Sequence, residues 1–303
     1  MPLIGAHVSI AGGLVNAPGN AAAEGCECFQ LFTRSPRGGA ALPITPDDAA
    51  RFRDACATLG LATWVVHAPY YINLASESAA MRASGVRIIR EELERASAIG
   101  AMCVMVHLGS AKAVGEEQGI AYVIQGLTKA LTGYTGSARF CIEIAAGAGA
   151  VMGGTFEEIA TIIAGVEQHL SAGAGGRSKR KSSPSRSRGE GEREGVGAIG
   201  VCFDTQHAFA AGYDLRTAEG VDTVLQQFDR TIGLDRLLMS HIQDSKVECG
   251  AQRDRHEHIG EGHIGINGLA AFVQHPAIRN LPLILETEPD KRATDIALLK
   301  GFR

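Results

Sequence analysis

Eight short apolar runs punctuate the chain, each followed by a polar loop and then by a stretch with helical patterning. The runs are Leu3–Val8, Cys28–Phe32, Thr63–His67, Met102–His107, Phe140–Ile144, Ala198–Phe203, Arg236–Ile242 and Leu281–Glu286. Apolar runs of this length, bounded by turn-forming residues, predict buried strands. Between them, Asp47–Leu59, Ser78–Ile99, Phe156–Leu170 and Val221–Ile232 predict helices. Thr45-Pro46-Asp47 is a helix start, with proline near the first helical position. Strands alternating with helices predict parallel β-α units, and eight of them predict one closed α/β domain over residues 1–303, a (β/α)8 TIM barrel. An open doubly wound sheet is the alternative, but no G-x-G-x-x-G immediately follows any of these runs.

One stretch breaks the rhythm. Residues 171–197, between the fifth helix and the sixth strand, are almost devoid of apolar side chains. Such a segment cannot bury enough surface to offset its ordering entropy, so a disordered insertion is expected. Its first half carries the basic run Arg177-Ser178-Lys179-Arg180-Lys181, which reads as a nuclear import signal or phosphate tether, or as a low-complexity loop with no role.

Composition changes the picture in two places. The seven cysteines are odd in number, scattered and mostly inside apolar runs. That pattern predicts reduced, buried thiols in an intracellular protein rather than a disulfide framework. There is no C-x-x-C pair to hold zinc through sulfur. No run approaches the roughly 18 apolar residues of a membrane span, and no basic segment precedes the first strand as in a secretory signal. The formal net charge of −4 argues at first against a nucleic-acid partner. Three divalent cations, six positive charges in all, would turn −4 into +2 at one face.

The chemistry gathers at the strand ends, which in a parallel barrel all open onto one face. The third strand ends at His67 and the fourth at His107; the fifth carries Glu143; the sixth leads into Asp204; the seventh carries His241; the eighth ends at Glu286. Each alone is more often a hydrogen-bonded structural residue than a ligand. Imidazole or carboxylate on six consecutive strands is not a packing pattern, and acids converging there would repel one another without cations. His207, on the loop after Asp204, and Asp254 with His256, in the polar loop after the seventh strand, point to the same rim. Asp204 also has a plain reading as a helix cap. Nine donors are too many for one ion, and a set without thiolate suits zinc, with manganese as a substitute. Three ions account for all nine, in a cluster suited to phosphodiester hydrolysis.

These residues sit in stretches that resemble the endonuclease IV family of apurinic/apyrimidinic (AP) endonucleases. The stretches are IGAHVSIAGGL (4–14), FQLFTRSPR (29–37), HAPYYINL (67–74), CFDTQHAFAAGYDL (202–215), HIQDSK (241–246), DRHEHIGEGHIG (254–265) and LILETE (283–288), from the first strand to the last. The resemblance implies a zinc-dependent DNA-repair hydrolase that cuts 5′ to abasic sites in double-stranded DNA and trims blocked 3′ ends. It implies one zinc held by His67, His107 and Glu143, and a second by Glu143, Asp204, His241 and Glu286. A third, held by His207, Asp254 and His256, would grip the scissile phosphate. The implied nucleophile is a zinc-bound hydroxide, with Glu143 and Glu286 as catalytic carboxylates. Arg37, Tyr70 and Tyr71 match side chains that the family pushes into the gap left by the missing base. Ser9 and Asn73 are phosphate- or loop-positioning candidates, and His258 and His263 are surplus to the ligands. A monomer is implied, in the cytoplasm, or in the nucleus if the source is eukaryotic.

Three departures stand out. A polar Glu-Asn-Thr run usual in the family is replaced after Glu143 by Ile144-Ala145-Ala146, so a hydrogen bond supporting the metals is expected to be missing. Gly38-Gly39-Ala40 replaces larger side chains after Arg37, and residues 171–197 are additional. The alternatives are a metal-dependent sugar isomerase or epimerase on a related barrel, which leaves His207, Asp254 and His256 without a role, and a non-catalytic damaged-DNA binder.

Overall fold

The computed structural model describes residues 1–174 and 199–303. Eight strands are parallel throughout and close into a barrel. They are β1 (Leu3–His7), β2 (Cys28–Leu31), β3 (Thr63–His67), β4 (Cys103–Val106), β5 (Arg139–Glu143), β6 (Gly200–Asp204), β7 (Leu237–His241) and β10 (Pro282–Leu285). β8 (Asp244–Ser245) and β9 (His256–Glu257) form a short antiparallel ribbon above the mouth that the strand pattern did not foretell. The helices are α1 (Ala17–Ala23), α2 (Pro46–Thr58), α3 (Ala79–Ile99), α4 (Glu116–Leu131), α5 (Phe156–Ala174), α6 (Thr205–Ala211), α7 (Ala218–Thr231), α8 (Gly265–Gln274) and α9 (Arg292–Gly301).

Local chemistry accounts for the boundaries. Thr45 caps α2 in a reciprocal box: its hydroxyl accepts the Asp48 N–H, and the Asp48 carboxylate accepts the Thr45 N–H. Ser78 caps α3, and Gly100, at φ 74°, ends it in the left-handed conformation that side chains resist. α5 runs four residues further than expected, through Ser171–Ala174. Extending an existing helix fixes one residue per added hydrogen bond, so small polar and alanine residues suffice. The rest of the expected insertion, including the basic run 177–181, lies outside the described residues, as does Ala198 of the sixth apolar run.

Two cores divide the work. The larger fills the space between barrel and helices, with Phe29, Phe52, Phe140, Phe156, Phe203, Phe209, Phe228 and Phe272 fully buried. The smaller lies inside the barrel and is rich in sulfur: Cys28, Val65, Cys103, Met105, Cys141, Cys202, Met239 and Ile284. Side chains along a strand alternate faces, so the residue two positions later also points inward, one layer higher. Two steps from that sulfur layer stand Gln30, His67, His107, Glu143, Asp204, His241 and Glu286. Gly5 leads in the same way to His7.

β7 keeps this alternation only through a bulge. Val201 pairs with Leu237 but Cys202 pairs with Met239, so Leu238 is an extra residue. Leu237 accordingly packs in the outer core and Met239 in the inner one, and His241 comes to lie beside Asp204.

All the described cysteines are free; six are buried and Cys249 is partly exposed. Burial pushes the Cys56 and Cys202 thiols up to about 12. No described helix is long and apolar enough to cross a membrane.

Candidate metal centre

The expected strand-end residues converge in the barrel mouth. His67 Nε2 and His107 Nε2 lie 3.7 and 3.1 Å from Glu143 Oε2. The other oxygen of Glu143 is 2.8 Å from His241 Nδ1, which also lies 3.4 Å from Asp204 and 3.5 Å from Glu286. His207 Nε2 stands 3.4 Å from both Asp254 and His256 Nε2, and His256 Nε2 is 3.2 Å from Asp254.

Three groups have donor atoms mutually within 4.8 Å: His67, His107 and Glu143; Glu143, Asp204, His241 and Glu286; and Asp204, His207 and His256. Glu143 and Asp204 each belong to two groups, so the three form one chain linked by shared carboxylates. Eight of the nine expected residues make up these groups, with Asp204 in the third where Asp254 was expected; Asp254 lies on its exposed side, 3.4 Å from His207 Nε2 and 3.2 Å from His256 Nε2.

His207 lies in α6 rather than on a loop. Both readings of Asp204 hold at once, because it caps that helix by accepting the His207 N–H at 2.7 Å. Capping and site assembly are one event: the turn that satisfies Asp204 delivers the imidazole three residues on. The His207 ring is aimed by its other nitrogen, 3.0 Å from the Ile144 carbonyl. His67 is aimed in the same way by the Ala68 carbonyl. A ligating histidine is commonly oriented through its second nitrogen in this manner.

Two observations test whether cations fit. Glu143 Oε2 and His67 Nε2 are buried, face each other and have no hydrogen-bond partner. Orphaned buried polar atoms cost about 1–3 kcal/mol each, so a pair of them aimed at one point marks a place for a ligand. The charge balance agrees. Burial depresses the His67 imidazole to about 4 despite nearby Glu286 and Glu143. Burial opposes charge on His207 and His241 too, but the surrounding acids outweigh it and raise both well above the ordinary histidine range. Burial would raise Glu143, yet His107, His241 and His207 hold it well below the usual carboxylate range. Without cations, the carboxylates recruit protons onto imidazoles, the positions that divalent ions would occupy instead.

His7 and Gln30 complete the ring on β1 and β2 and are absent from the expected set. The same two-residue period from the inner core finds them. Gln30 is fully buried and touches His241, Glu286 and His7. Gln243, also missed, donates to Asp204 Oδ2; no spacing in the sequence signals that contact.

The loops around the mouth are tied down. The Asp244 carboxylate accepts the backbone N–H groups of Ser245, Gly260, Ile264 and Gly265, holding the glycine-rich loop beyond His256. A Cβ on Gly262 would come within 2.4 Å of the Ser245 carbonyl, so only glycine passes there. His258 belongs to this scaffold, 2.7 Å from buried Asp295, and His263 pairs with Glu248 near the surface.

Asn73 positions a loop: its Oδ1 accepts the Ala75 and Ser110 N–H groups. Ser9 does likewise, its hydroxyl accepting the Ala11 N–H. Tyr70 stands over the cluster with ring centroids 4.9 Å from His67 and 5.5 Å from Phe32, yet is 59% exposed. Tyr71 turns aside to line a groove of about 700 Å³ with Arg34, Arg87 and Arg95. Arg37 is exposed on the loop after β2.

The fold and site are those of a xylose isomerase-like TIM barrel, and the family model of that description matches residues 18–173 and 193–301. A probable endonuclease 4 of Methanoculleus marisnigri is 39% identical over 304 residues, covering all of this chain and 98% of that protein. The crystal structure of endonuclease IV from Thermus thermophilus superposes with a TM-score of 0.79 at 30% identity, over 99% of this chain and 98% of that one. A D-tagatose 3-epimerase-like protein shares the fold alone, with a TM-score of 0.64 at 19% identity over 99% of this chain and 96% of that one. The chain belongs to the endonuclease IV family.

Proposed function

We propose that this protein is a metal-dependent AP endonuclease that hydrolyses the DNA phosphodiester 5′ to an abasic site, leaving a 3′-hydroxyl and a 5′-deoxyribose phosphate, and that it also trims blocked 3′ ends. The observation that carries the reading is the chain of three donor groups sharing Glu143 and Asp204. Three zinc ions fit it, with manganese as a substitute. His67, His107 and Glu143 would hold one; Glu143, Asp204, His241 and Glu286 a second; His207, Asp254 and His256 the third, beside Asp204. Bound there, the ions supply a nucleophilic water at neutral pH and offset the charge that grows on the phosphate. Glu286 directs Oε2 into the cluster while Gln30 occupies its Oε1; Oε2 is then the oxygen that would hold the cation and, beside it, keep the attacking water oriented.

Lesion recognition rests on shape. An abasic nucleotide has no base to unstack, so extruding it costs less than extruding an intact one. Tyr70 presents an open ring face beside His107, where it fills the vacated space. Arg37 and Tyr71 are assigned to contacts with the flanking DNA, and the protein acts as a monomer on duplex DNA inside the cell. A sugar epimerase would leave His207, Asp254 and His256 without a task.

The test is a duplex bearing one tetrahydrofuran lesion. The expected result is incision 5′ to the lesion, loss of incision with a strong chelator and its return with zinc. A duplex left uncut, or cutting that ignores the chelator, would refute the reading. Tyr70→Ala is expected to reduce the preference for lesion over intact duplex about tenfold, the loss of one stacking contact, with zinc content unchanged. Loss of zinc in that variant would make the tyrosine a structural part of the centre.

A further inference from the structure

We infer that Gln30 is a positioning residue that fixes which nitrogen of His241 and which oxygen of Glu286 face the cations; this rests on the metal centre proposed above. His241 has two ring nitrogens able to ligate. Nδ1 faces Glu143, Asp204 and Glu286 at 2.8, 3.4 and 3.5 Å, whereas Nε2 meets Gln30 Oε1 at 2.8 Å.

A glutamine amide can sit either way round, and the carboxylate decides the matter. Gln30 Nε2 is 2.6 Å from Glu286 Oε1 and 2.9 Å from His7 Nδ1. An ionised carboxylate only accepts hydrogen bonds. Turning the amide over would press two oxygens together at that distance, so the NH2 group faces Glu286 and the carbonyl faces His241. A carbonyl also only accepts, so His241 must carry its hydrogen on Nε2. That leaves the Nδ1 lone pair for a cation. The second N–H of Gln30 goes to His7 Nδ1, and every polar atom of the buried amide is used. One side chain on β2 thus sets the state of a residue on β7 and of another just beyond β10.

Ligand-orienting partners of this kind typically govern 10- to 100-fold in metal affinity. Gln30→Leu keeps the bulk and removes the hydrogen bonds. Competition with a chromophoric chelator is expected to show one zinc equivalent weakened 10- to 100-fold, the others unchanged. The cobalt-substituted protein is expected to show altered d–d bands, which lost packing alone would not produce.

A second measurement needs no variant at Gln30. Nitrogen NMR of the zinc-loaded wild type, with His241 assigned by the signal absent from His241→Ala, is expected to show a protected Nε2–H and a metal-bound Nδ1. A metal-bound Nε2, or wild-type zinc affinity and cobalt spectrum in Gln30→Leu, would overturn the inference. The two levels fail separately. If the wild type holds no tightly bound zinc, the metal centre falls and this inference with it. If it holds zinc and His241→Ala sheds one equivalent while Gln30→Leu sheds none, only the role of Gln30 falls.

Discussion

Replacing Glu143 by alanine is expected to lower incision of a lesion-bearing duplex by on the order of a thousandfold or more. Both carboxylate oxygens are committed, one toward His67 and His107 and the other toward His241 and His207. Truncation therefore removes a donor from two groups at once. It also leaves four imidazoles converging on one site with one fewer negative charge, which weakens the attraction for any cation. Elemental analysis is expected to show less zinc per chain, and the rate is read on the tetrahydrofuran duplex. Wild-type incision with full metal content would show that Glu143 is not the shared donor.

Glu92→Ala is expected to destabilise the fold by about 3–5 kcal/mol, the usual effect of stripping one partner from a buried ion pair. Glu92 is fully buried in α3 and holds Arg34, whose side chain is 4% exposed, together with the Thr33 hydroxyl. Arg95 braces the same turn through the carbonyls of Thr33 and Leu42. Alanine would leave the buried Arg34 guanidinium with Glu91 as its one remaining carboxylate partner and its Nε without one. Glu94, exposed on the same helix and paired with Arg90, makes the contrast, since surface pairs contribute about 0–1 kcal/mol. Denaturant unfolding of Glu92→Ala beside Glu94→Ala measures the difference; equal midpoints would show that the buried network is idle. The network ties the β2 loop to α3, and that loop carries Arg37.

The barrel was legible because each strand is buried on both faces and so reads as an apolar run, with strand ends shifting by one or two residues. His107 and Glu286 stand just beyond their strands, which alters no inward direction. The sequence pattern puts His207 on a loop because the helix that holds it spans only Thr205–Ala211, too short for its own periodicity to show. The β8–β9 ribbon, two residues to a strand, left no alternation to detect. Gln30 escaped because an amide among acids and imidazoles carries no ligand signal by itself; only counting in twos from Cys28 exposes it.

The Ile144–Ala146 departure has a physical resolution. All three side chains are buried in the wall, and support for the centre comes from the Ile144 backbone carbonyl, which any residue supplies. The FQLFTRSPR stretch likewise divides: Gln30 serves the centre, Thr33 and Arg34 serve the anchor, and Arg37 stands exposed beyond them.

The extra residue in β7 makes this strand unequal in its tolerance of shortening. Excising Leu238 would restore regular pairing with β6 and vacate the space it fills over Gly200, yet His241 would still look inward. Excising Ser240, two places on, would rotate the imidazole onto the helical side and disarm the enzyme. An engineer regularising this barrel has freedom on one side of Met239 and none on the other.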